Sequence, residues 1–183
     1  MGHDMNKSLK LFIAAGGILV SALGALSHFI YEWTDHNQLA GLFVPVSESI
    51  WEHMKMLFFP MLLTALLLTA LIKRTYPHIF TGMLAGLLTG TFAIPVLFYT
   101  YTGALGYCIT AVDIAIFYIS VGTGFFAAYR LTISEHAKSL QPLLPCLTLL
   151  MFAAFILFSY DPPSLGIFAQ PETSTAFLGQ VGW

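Results

Sequence analysis

A few ionisable side chains in this sequence have types and spacings that chemistry can use. His28 and Glu32 are four residues apart, so on a helix they share one face. Glu48 and Glu52 repeat that spacing, with His53 turned by about 100° from Glu52. Two carboxylates and an imidazole within one turn can bind a divalent cation, or move protons where burial raises a glutamate pKa. On the metal reading His28, Glu48, Glu52 and His53 are the candidate ligands. Glu32 then serves as a supporting group or general base, and Asp113 supplies a further carboxylate. The candidate catalytic groups are Glu32, Glu48 and Asp113.

Each of these residues also has a plain reading. Ser49 followed by Glu52 is a capping-box pattern, and acids in a first turn complement the helix dipole. Lys55 can pair with Glu52 or Trp51, or reach the interface. One more helical turn would bring His36 into a His-x3-Glu-x3-His row, but Thr34-Asp35-His36-Asn37 reads as a helix exit. Asp113 is either an N-terminal cap or a residue with a function or specific partner, since an acid inside a span is costly. The sequence has no zinc-protease His-Glu-x-x-His, no nucleophile elbow, no phosphate-binding loop, no dinucleotide fingerprint and no Cys-x-x-Cys pair. The chemical signal is therefore one of place.

The elements that must position these groups are membrane helices. Of 183 residues, 57% are hydrophobic and 9% charged, against about 25% charged in soluble domains. So little charge cannot clothe a water-soluble globule, which argues against a soluble enzyme, a disordered segment or a nucleic-acid-binding module. At roughly 20 residues per crossing, the chain holds five spans as one domain. Stretches free of Asp, Glu, Lys and Arg run over 11–31, 56–72, 79–112, 114–129 and 140–160. They predict an all-α, polytopic bundle with helices at about 9–32, 49–73, 79–99, 108–130 and 142–160. Tyr99-Thr-Tyr-Thr-Gly103-Ala-Leu-Gly106 reads as the turn that divides the long third stretch. Residues 1–171 form a single transmembrane bundle on this reading, and 172–183 a C-terminal tail. The rival for the first span is a cleaved signal peptide, against which the long apolar run through Tyr31 argues.

Lys7, Lys10, Lys73, Arg74, Arg130 and Lys138 fall on one side of a five-span arrangement and only Lys55 on the other. The N-terminus is then cytoplasmic, the C-terminus extracytoplasmic, and the expected location is the cell (inner or plasma) membrane. Glu32, Asp35, Glu48, Glu52, Asp113, Asp161 and Glu172 collect at the outer side. Trp33, Trp51, Tyr99, Tyr101 and Tyr107 are expected in the outer aromatic belt, Tyr76 and Tyr129 in the inner one. Pro60 and Pro95 lie inside helices and should kink them. Gly82, Gly86 and Gly90 line one face of the third helix, suited to internal close packing or to a homo-oligomer seam. Gly122-Thr-Gly124 is expected to be another close-packing point. Cys108 and Cys146 fall at opposite faces, too far apart for a disulfide.

Three segments carry a resemblance: His28-Phe-Ile-Tyr-Glu32-Trp33, Pro45-Val-Ser-Glu48-Ser-Ile-Trp51-Glu52-His53-Met-Lys55, and Pro162-Pro163 with the later Phe168. In these the chain resembles an uncharacterised family of small prokaryotic membrane proteins with five or so helices. The likeness covers residues 9–171. The family pattern has Asn where this chain has Ser47, and either residue can cap a helix. The resemblance implies a multi-helix membrane fold and no mechanism.

Three functions follow for the lipid-embedded protein. The first is a polar site near the outer face, metal-binding or hydrolytic, with a divalent ion as cofactor. The second is a small transporter or proton- or cation-coupled permease in which Glu48, Glu52 and Asp113 hold the coupling ion. The third is a non-catalytic membrane subunit or scaffold whose acids cap and interlock helix ends.

Overall fold

The computed structural model describes residues 2–170, with side chains from residue 7 onward. The expected tail at 172–183, and Glu172 with it, lies outside the described residues. Among the described residues there are seven α-helices, one 3-10 turn and no strand: α1 (Gly2–Trp33), α2 (Gln38–Gly41), α3 (Ile50–Ile72), α4 (Ile79–Leu105), α5 (Thr110–Thr132), α6 (Ala137–Leu140), α7 (Leu143–Phe158) and the turn Gly166–Phe168.

Four helices, covering Lys7–Trp33, Ile50–Ile72, Ile79–Leu105 and Thr110–Thr132, are long and apolar enough to cross a membrane. The fifth expected span is the shorter α7, whose 16 residues rise about 24 Å against a hydrocarbon core of about 30 Å. The third expected span is longer than read. α4 runs through the whole Tyr99–Gly103 stretch and stops only at Gly106, whose φ of 81° is left-handed. The threonines of that stretch are compatible with a helix because each hydroxyl bonds back one turn. Thr100 Oγ1 donates to Val96 O at 2.6 Å and Thr102 Oγ1 to Phe98 O at 2.7 Å.

α1 and α4 each pack against both α3 and α5, so the four long helices close into a ring, with α7 laid against α4. Leu57, Phe58, Met61, Met83, Leu87 and Phe125 fill its centre. Pro60 and Pro95 sit inside α3 and α4 as expected. The glycine face of α4 is used inside the chain: side chains at Gly82, Gly86 and Gly90 would strike Ala128 O, Gly124 O and Ser120 O of α5. All three glycines of the stripe are buried in that contact. Gly124 shares the close approach, whereas a Cβ at Gly122 would meet nothing within 4 Å.

Two belt residues are elsewhere than expected. Trp51 is buried in an aromatic cluster with Phe155, Phe158 and Phe168, at centroid distances of 4.7, 6.0 and 4.9 Å. Phe168 belongs to the segment after α7, which thus folds back over the start of α3. Tyr76 is buried as well. Trp33, Tyr99 and Tyr107 are exposed. Cys108 and Cys146 are both free thiols.

Candidate metal centre

The site lies where α1 ends and α3 begins. α1 breaks after Trp33 because Asp35 and His36 enter the left-handed region, φ 53° and 58°, which Asp and His tolerate better than most residues. His36 is therefore off the α1 face that carries His28 and Glu32. Asn37 then caps α2, its side chain accepting from Leu39 N at 2.9 Å and Ala40 N at 3.2 Å. The chain returns through residues 42–48 to Ser49, the N-cap of α3, whose hydroxyl accepts from Glu52 N at 3.3 Å. Only half of the expected capping box forms, because the Glu52 carboxylate turns inward instead of back to the Ser49 amide.

Glu48 precedes this cap and points to solvent, its side chain 63% exposed. It sits between two imidazoles: His28 Nε2 is 3.6 Å from Oε1, and His53 Nε2 is 3.5 Å from Oε2. One ligand-capable atom from each of the three residues falls within 4.8 Å of the others. Two ligands of a tetrahedral ion with bonds near 2.1 Å stand roughly 3.4 Å apart, so the two pairs to Glu48 already have about that separation. The imidazole rings meet edge to face at 5.7 Å. His53 Nδ1 lies 3.0 Å from Ser49 O; donating there, it leaves the Nε2 lone pair facing Glu48. Metal-binding histidines are commonly oriented in this way.

Glu52 is not part of this group. Its carboxylate Oε2 accepts from Lys55 Nζ at 2.8 Å and from Val46 N at 2.9 Å, and the residue is 3% exposed. Lys55, fully buried, also donates to Gly41 O at 3.1 Å and Ser159 Oγ at 2.7 Å. All three ammonium protons thus have acceptors, one each from α2, α3 and the end of α7. Of the pairings open to Lys55 in the sequence, the one with Glu52 forms.

The chain belongs to a family of unknown function, DUF6512. The match covers residues 1–177. No curated protein and no solved structure matches the chain. In this DUF6512 protein the other expected site residues lie apart from the triad. Asp113, in the first turn of α5, accepts from the Tyr101 hydroxyl, which itself accepts from Ile109 N at 3.1 Å. That pairing ties the α4–α5 turn together. Burial, with the Asp113 carboxylate adding, pushes the nearby Cys108 thiol pKa up. Glu32 is exposed at the end of α1, one turn beyond His28.

Sequence reasoning passes over the partners Gly41, Val46, Tyr101 and Ser159. A Tyr101→Asp113 bond at twelve residues' separation could be sought as a turn-closing pair, but Ser159 stands 104 residues from Lys55 and leaves no local signal.

Proposed function

We propose that this protein is a multi-pass integral membrane protein of the cell membrane that binds a divalent cation through His28, Glu48 and His53 near its extracytoplasmic face. The carrying observation is that the three ligand-capable atoms converge within 4.8 Å from α1, the loop before α3 and α3 itself. Two neutral imidazoles and one carboxylate suit zinc or ferrous iron better than magnesium or calcium, which favour all-oxygen sets. Three protein ligands leave a coordination position for water, and the reaction class such a site supports is metal-assisted hydrolysis. Glu32, one turn beyond His28 on α1, is the carboxylate we assign to orienting the ligands or to proton transfer. Glu48, more than half exposed, gives solvent and substrate access.

We take α7 as the fifth crossing. Its far end meets Lys55 at the start of α3, which supports that reading despite its length. The six other lysines and arginines, gathered at the opposite end, support our reading of a cytoplasmic N-terminus and an extracytoplasmic C-terminus. The buried Glu52–Lys55 pair gives a structural reading its own support, since it joins three segments with no group left for a ligand.

The test is metal content and zinc titration of the purified, detergent-solubilised protein. One equivalent is expected in the wild type. His28→Ala and His53→Ala should each weaken zinc binding by at least about 100-fold, beyond the 10–100-fold typical of losing a supporting hydrogen bond. Absence of binding at micromolar zinc, or full retention by both variants, would overturn the assignment.

A further inference from the structure

A second feature lies along the membrane face of the bundle. Between α1 and α5 runs an open groove of about 980 Å³, lined along α1 from Lys10 to Ala25 and along α5 from Tyr118 to Tyr129. Its length on α1 is about 22 Å by helix rise. The lining is mostly apolar, with Ile13, Phe125 and Phe126 among its walls; Ser21 and Tyr118 add hydroxyls, and its one charged group, Lys10, lies at one end. There Lys10 Nζ stands 5.8 Å from the centre of the Tyr129 ring, and Lys7, exposed, lies one turn earlier on the same face of α1. This end is remote from the metal centre, which sits at the other end of α1.

A long apolar bed that terminates in two ammonium groups and an aromatic ring has the polarity of one amphiphile: hydrocarbon along the groove, anion at the lysines. A helix from a second copy fits worse, because seating it would desolvate Lys10, and among the described residues that line the groove there is no acid to pair with it. We propose that the groove holds an acyl chain of an anionic glycerophospholipid from the leaflet beside the N-terminus, with its phosphate on Lys10 and Lys7. Anionic lipid attracts basic residues at this depth, and Tyr129 supplies the interfacial ring beside the headgroup.

The full chain, equilibrated with equimolar phosphatidylglycerol and phosphatidylcholine, is analysed by native mass spectrometry for retained lipid. The wild type should retain phosphatidylglycerol in preference, and Lys10→Gln should cut that preference by about fivefold, the effect of one lysine near a charged headgroup. Gly122→Leu should fill the groove and release both lipids. Its new side chain has open space before it, so an unchanged unfolding temperature is expected as the check on folding. Equal retention of the two lipids by the wild type, unchanged preference in Lys10→Gln, or a lipid-free dimer would overturn the proposal.

Discussion

Lys55→Ala is expected to destabilise the protein by about 3–5 kcal/mol, the range measured when one partner of a buried ion pair is removed. The substitution leaves the buried Glu52 carboxylate with the donor Val46 N but no counter-charge, and leaves Gly41 O and Ser159 Oγ without the ammonium that joins them. Two attachments fail together: α2 to α3, and the end of α7 to both. Thermal unfolding in detergent measures the loss, and proteolysis should show residues 38–47 cut more readily than in the wild type. The decisive comparison is Lys55→Met with Glu52→Gln. Removing both charges eliminates the uncompensated carboxylate, so the double variant should be more stable than Lys55→Ala. A double variant as unstable as the single one would mean that the lost hydrogen bonds to Gly41 O and Ser159 Oγ, not stranded charge, carry the effect.

Gly86→Val is expected to separate α4 from α5. A Cβ at Gly86 would strike the Gly124 carbonyl and come within 2.8 Å of Ala128 Cβ; one at Gly124 would reach 2.8 Å from Gly86 O. Both contacts involve backbone, which cannot rotate aside as a long side chain can. Overpacking costs about 1–3 kcal/mol where a core can adjust, and a helix pair held apart along its length should lose at least the upper figure. Gly122→Leu, two residues from Gly124 but facing open space, is the control and should unfold near the wild-type temperature. Equal losses in the two variants would show that helix propensity, not the close approach, governs this interface.

The helical architecture was legible because apolar runs and charge-bearing gaps mark it directly, and α3 begins and ends within one residue of its expected bounds. The end of α4 was not. Threonine and glycine after Tyr99 look like a turn, yet threonine hydroxyls can return their protons to the preceding turn and continue the helix. The shared position of His28, Glu48 and His53 near one end of the bundle is legible in the sequence, while the choice for Glu52 between the ligand group and Lys55 is not, for a geometric reason. The four-residue rule puts Glu48 and Glu52 on one face only if both are helical, and Glu48 lies before the Ser49 cap. One carboxylate therefore faces water and the other faces Lys55. Asp113 was placed correctly in a first turn, but its partner Tyr101 was assigned to an aromatic belt.

Neutralisation of Lys55 within the protein also sets the electrostatic character of that rim. Glu32, Asp35, Glu48 and Asp161 are exposed there, whereas the other lysines and arginines of the described residues lie at the far end of the bundle. An ion arriving from solution meets a field of carboxylates undiluted by any solvent-facing lysine or arginine, and such a field concentrates divalent cations over monovalent ones. Capture by the histidine pair should accordingly slow as sodium chloride is raised, since added salt shortens the reach of those charges to about 10 Å at 0.1 M.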